Sequence, residues 1–149
     1  MLALKNQLQY MDIIEHPHHF YEFIFRAGSP PRYAYDDWVT GVGQLYQLPL
    51  ETPIKLLTNA HYIEAIPMTY AFQQSRVLLK NHPIRPRMRS VFLMTESQSI
   101  VDRMFQSFAQ LFRTGNEIRT LYGDKRADAL EFLFANEPEN HPQRMSHNA

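Results

Sequence analysis

The chain has 149 residues, 44% of them hydrophobic, and fifteen Lys+Arg balance fifteen Asp+Glu. That suffices for one packed domain and gives no strong basic field of the kind many nucleic-acid binders carry. The absence of cysteine excludes disulfides, thiolate nucleophiles, Cys-based zinc sites and Fe–S ligation, and no apolar run approaches the roughly 18 residues of a membrane span.

The opening Met1-Leu2-Ala3-Leu4-Lys5-Asn6-Gln7 lacks the basic-then-apolar order of a signal peptide, so a cytoplasmic protein is expected. Strands are predicted over Leu8–Glu15 and His19–Arg26, joined by a hairpin turn at His16-Pro17-His18. In the second arm Tyr21, Phe23 and Phe25 alternate with Glu22, Ile24 and Arg26, which sends one face to the core and leaves the other mixed. A first helix is predicted from Tyr35 to Leu48. Tyr35, Trp38, Val39, Val42, Leu45 and Tyr46 form its apolar stripe, and Asp36 and Asp37 fall in its first turn.

The run Ile54–Thr58 reads as the next strand. A second helix follows from Pro67 to about Lys80, with Pro67 suited to the first helical position. Ser90–Met94 reads as a strand. Thr95 with Gln98 then gives a capping box for a third helix, which carries Ile100 to Phe112 as its stripe and exits at Gly115. Ile118–Tyr122 is the last strand, and a fourth helix is expected to be capped near Asp124. Residues 1–136 thus read as one domain and 137–149 as a flexible tail. The order is a β-hairpin followed by three βα units, an α/β fold with a mixed, mostly parallel five-stranded sheet and four helices.

Several motifs can be weighed against their structural roles. Gly41-Val42-Gly43 has Tyr46 where a dinucleotide fingerprint needs its third Gly and sits inside a helix, so close packing of helix on sheet explains it better. His16-Pro17-His18-His19 has no nearby Asp or Cys to complete a metal site and reads as a solvated turn. Arg76, Lys80, Arg85, Arg87 and Arg89 form a run without acids at the amino end of the parallel strands. Open α/β sheets bind ligands at the other end, so this run reads as a solvated connector balanced by Asp36, Asp37 and Glu131. Neither nucleic acid nor a cofactor is expected.

The carboxyl-end rim should gather Thr58, Asn59, His61, Tyr62, Thr95, Glu96, Ser97, Tyr122 and Asp124. His61 and Glu96 are the one pair there able to act as acid and base, if they meet within about 3 Å. Thr95 and Ser97 have a sufficient role as helix caps. Ten Phe, eight Tyr and seven Met are the composition's departure from the ordinary. Most fall on inner faces, whereas Tyr46, Tyr62, Tyr70 and Phe132 are expected partly outward. Such residues suit an interface, including a homodimer, or a pocket for a small apolar ligand or lipid.

The order of these elements resembles the STAS domain family, the fold of bacterial anti-sigma factor antagonists and of the cytoplasmic domains of sulfate transporters. Members carry Asp-Ser-(Ser/Thr)-Gly at the start of the second helix, where the first Ser is phosphorylated and switches partner binding. The matching stretch here is Ala65-Ile66-Pro67-Met68-Thr69-Tyr70. Pro67 falls on the Asp, Met68 on the phosphoacceptor and Tyr70 on the Gly. A thioether accepts no phosphoryl group, and Thr69 keeps a hydroxyl one position late. The resemblance therefore implies a non-enzymatic regulatory interaction module. Its partner, another protein or a second copy, would contact Asn59, His61, Tyr62, Met68, Thr69 and Tyr70, with Thr69 the candidate phosphoacceptor and no catalytic residue or metal.

Overall fold

The computed structural model describes residues 7–62, 68–95 and 116–135. They form strands β1 (Met11–His16), β2 (Phe20–Phe25), β3 (Ile54–Asn59), β4 (Met88–Met94) and β5 (Asn116–Tyr122). The helices are α1 (Pro31–Leu45), α2 (Met68–Asn81) and α3 (Arg126–Phe134). The helix expected between Thr95 and Gly115 lies, beyond Thr95 itself, outside the described residues, as does the tail from 137.

The five strands make one sheet in chain order, β1-β2-β3-β4-β5. β1 and β2 pair antiparallel, and β2 to β5 run parallel. Right-handed crossovers that step one strand at a time in one direction must all lie on the same face. α1 and α2 share that face. Tyr35, Trp38, Val42 and Leu45 of α1 and Ala71 and Leu78 of α2 pack on Phe23, Phe25, Leu56 and Phe92 of the sheet. Two buried hydrogen bonds fix this layer: Tyr35 Oη with Ser75 Oγ at 2.6 Å, and Trp38 Nε1 donating to Thr58 Oγ1 at 3.1 Å.

The opposite face is closed by α3, whose Ala129 and Leu133 pack on Phe20, Leu57, Val91 and Leu93. A nine-residue helix is about 13 Å long and covers only part of a sheet. Charged groups hold both its ends. Glu22, 6% exposed, takes Arg126 on both carboxylate oxygens, Oε2 at 2.8 Å from Nη1 and Oε1 bonded by Nη2. His16 Nε2 lies 3.0 Å from the same Oε1. The Arg126 hydrogen bonds hold the Glu22 carboxyl below its ordinary pKa, against the upward pull of burial. At the other end Arg89 donates to the Phe132 carbonyl at 3.3 Å and to that of Ala135, and it pairs with Glu117 at 3.3 Å.

The hairpin forms where the histidine turn was expected. His18 and His19 have φ of +65° and +57°, a left-handed conformation that side chains adopt at a cost of about 1–2 kcal/mol each. Lys55, 1% exposed, secures the turn by donating Nζ to the His18 carbonyl at 2.7 Å and to that of Pro53 at 3.3 Å.

On the mixed face of β2, Glu22 is buried beneath α3. Three expectations need correction. α1 begins a turn earlier than its apolar stripe, with Pro31 opening it, so Asp36 and Asp37 are not in the first turn. Tyr46 is buried rather than outward, its ring 5.7 Å from that of His82. Asp124 does not cap the last helix, whose N-cap is Lys125 and has no side-chain cap bond.

The two glycines of α1 divide. A Cβ on Gly41 would stand 2.8 Å from Phe23 Cε2 and 3.2 Å from Met11 Cε, whereas one on Gly43 would meet Leu78 Cδ1 at 3.6 Å. Gly41→Ala is expected to lower stability by about 1–3 kcal/mol through overpacking. Gly43→Ala is expected to leave it unchanged or raise it by up to about 1 kcal/mol through helix propensity. Urea unfolding of the two variants checks this, and equal effects would contradict the packing described.

Candidate functional site

β2 and β3 hand the chain to α1 and α2 at the carboxyl end of the parallel strands, so the starts of these two helices meet there. The loops after Phe25, Asn59 and Met94 share this rim. Open α/β sheets commonly place their ligands at such an edge.

After β3 the chain is pinned before it turns. Ala60 N–H donates to the Leu93 carbonyl at 2.9 Å, and Asn59 Oδ1 accepts the His61 N–H at 3.1 Å. The latter is the Asx pattern by which a side chain stabilises a turn. Tyr62 then projects to solvent, 63% exposed. His61 is half-buried, and its Nε2 is sealed from solvent with no hydrogen-bond partner among the described residues. Glu96, its expected acid–base companion, lies outside the described residues.

Across the rim, Thr69 is exposed in the first turn of α2 and Tyr70 is half-buried beside it. Of Met68 only the backbone, at the start of α2, is described. The Tyr70 hydroxyl donates to Asp36 Oδ1, and the Arg32 guanidinium stacks 5.0 Å from the Tyr70 ring centroid. Asp37 Oδ2 accepts the Tyr10 N–H at 2.8 Å. The Tyr10 ring stacks on Tyr33 at 5.6 Å, and Tyr33 is 55% exposed. The two acids of α1 thus reach in different directions, one to α2 and one to the chain entering β1.

In the structure Asn59, His61, Tyr62, Thr69 and Tyr70 lie at one rim, whereas Thr58, expected there, is fully buried and bonded to Trp38. Sequence reasoning missed Tyr10, Arg32, Tyr33, Asp36 and Asp37. The signal was Pro30-Pro31, since a proline in the first helical turn would have started α1 early enough to carry Arg32 and Tyr33 onto the rim.

The basic run sits at the other end of the strands. Asp36 and Asp37 lie toward the opposite end, hydrogen-bonded to Tyr70 and Tyr10. Arg89 is spent on α3 and Glu117, and Arg85 donates to the His82 carbonyl at 3.1 Å. Arg76, Lys80 and Arg87 are exposed, as a solvated connector requires. Among the described residues no group of three or more His, Asp or Glu side chains could hold a metal ion, and no helix is long and apolar enough to cross a membrane.

Among known proteins, the chain matches no family model, no curated protein and no solved structure.

The Tyr70–Asp36 bond gives the rim a pH signature. It needs the phenol proton, and first through this bond, then through burial and the Asp36 charge, the Tyr70 pKa rises above its ordinary 10.0. A raised folded-state pKa contributes stability that is complete below the unfolded value and is lost as pH climbs through the folded one. Tyr70→Phe is expected to cost about 0.5–1 kcal/mol at neutral pH, a partly solvated bond being worth no more. That gap stays constant to about pH 10 and narrows above it. Paired urea titrations from pH 7 upward test this, and a gap that widens in alkali would contradict it.

Proposed function

We propose that the chain is a non-enzymatic regulatory module of STAS-like kind that works in the cytoplasm by docking a protein partner on the carboxyl-end rim. The observation that carries this reading is the make-up of that rim. Tyr62 and Tyr33 stand exposed there, and the Arg32 guanidinium lies over the Tyr70 ring. Tyrosine and arginine are the residues most enriched at binding hot spots, because each combines a large apolar body with a polar tip. The acids beneath them are already bonded within the chain, so a partner meets aromatic surface over a fixed polar base.

The serial hairpin-then-βα order agrees with the layout from which the resemblance came. Met68 replaces the serine of the family's switch and carries no hydroxyl. Thr69 is exposed at the start of α2. A phosphoryl group there would add nearly two negative charges at the positive end of a helix dipole, close to the Arg32 cation stacked on the neighbouring Tyr70. On this reading Thr69 is the phosphoacceptor, and its modification changes the face the partner sees without disturbing the core.

Affinity capture from native lysate with quantitative mass spectrometry tests the proposal. Proteins held by the wild-type chain are expected to fall about tenfold or more with Tyr62→Ala or Tyr33→Ala, the loss of an anchor worth about 2 kcal/mol. They should persist with Ile84→Ala, which changes an exposed apolar residue of the loop before β4. Identical recovery from all three variants would refute the rim as the docking surface.

A further inference from the structure

The outer edge of β1 has the properties of a self-pairing strand. β1 is the first strand in the sheet order, and among the described residues no strand lies beyond it. Its six residues pair with β2 in an unbroken register from Met11↔Phe25 to His16↔Phe20, without a bulge. It contains neither lysine nor proline (MDIIEH). Bulges, lysines and prolines are among the devices by which edge strands avoid pairing with another chain, and of the other charged residues β1 carries only Asp12 and Glu15.

The backbone alternation follows from one bond. Arg26 N–H donates to the Tyr10 carbonyl at 3.0 Å, so in this antiparallel ladder Tyr10, Asp12, Ile14 and His16 turn their backbone groups toward β2. Met11 and Ile13 turn theirs outward. The side chains of Asp12, Ile14 and His16 project on the face that α3 closes only in part. There Ile14 remains 40% exposed, and His16 is fixed by Glu22 at 3.0 Å and by stacking on Phe20 at 4.7 Å.

We propose that β1 pairs antiparallel with β1 of a second copy about a two-fold axis at Ile14, which extends the sheet across both chains. This register sets Ile14 against Ile14 and Asp12 against His16 at each end. Asp12, paired with Arg26 at 2.7 Å, lies near the start of the strand and His16 at its end, so antiparallel self-pairing opposes an acid and an imidazole, whereas a parallel one would stack like on like. It also places Ile14 at a pair that exchanges no inter-chain backbone bonds, the position where facing side chains come closest. Pairing is isologous, so the assembly closes as a dimer and leaves no further β1 edge to grow from. The rim tyrosines are not needed for it.

The absence of native cysteine makes a direct test available. In this register the two Ile14 Cα atoms lie about 4.5 Å apart, within the range a disulfide spans. Ile14→Cys is expected to cross-link rapidly in mild oxidant, and Val77→Cys, on the exposed side of α2, is not. Sedimentation equilibrium of the full wild-type chain at about 100 µM, where even micromolar affinity saturates, should give twice 17.6 kDa. Ile14→Lys, with its circular dichroism unchanged, should return the single mass, and Tyr62→Ala should leave the dimer intact. A wild-type chain at its single mass would overturn the proposal. So would equal cross-linking of the two cysteine variants, or a dimer indifferent to Ile14→Lys. None of these outcomes bears on whether the rim docks a partner.

Discussion

The architecture is governed by one topological constraint. Strands that join their neighbours in order through right-handed crossovers confine the connecting helices to a single side. Among the described residues the other side takes its cover from the nine residues of α3, after the last strand. So short a helix buries little apolar surface: Ala129 and Leu133 are its fully buried residues. Its position therefore leans on ions. Burying a carboxylate is costly unless hydrogen bonds replace its water. Glu22 has that replacement in full, with Arg126 on both oxygens and His16 on one. Arg89 does the corresponding work where the helix ends, satisfying carbonyls that no further turn can reach.

This division of labour explains what could be read from the residues beforehand. Strands β3 to β5 and the hairpin were legible because short apolar runs bounded by turn residues have few alternatives. The face of α1 was legible because Trp38, Val42 and Leu45 repeat at helical spacing. Its start was not, because the first turn contributes Arg32 and Tyr33 to the surface and so lies outside the apolar stripe. The burial of Glu22 was not legible for a related reason. Alternation leaves its face mixed, and what makes its burial tolerable is chiefly a partner 104 residues away. Local pattern carries no information about that partner. Tyr46 shows the same limit: it sits just past the last residue of its helix, where the geometry of the exit decides its direction.

The candidate site divides along the same line. Asn59, His61, Tyr62, Thr69 and Tyr70 follow or begin elements whose ends the sequence marks, so their neighbourhood was legible. Asp36 and Asp37 were given a dipole role that any helix start would suggest. Their actual partners lie 34 and 27 residues away. A rim whose two acids accept hydrogen bonds from within the chain presents its rings outward over a fixed polar base. The amino end is different, since Arg76, Lys80 and Arg87 keep their hydration. The zero net charge of the chain thus conceals two ends of unlike character.

The buried ammonium of Lys55 bears on the order in which the chain assembles. It belongs to β3, yet it steadies a reversal that lies between β1 and β2, 37 residues earlier. That reversal carries two histidines in a backbone conformation that few side chains favour, so in isolation it is a poor seed. The first two strands have no firm corner until the third has docked beside them. Local zippering is thereby subordinated to a distant encounter, and formation of the amino-terminal arm is expected to be a late, cooperative event rather than the first step of folding.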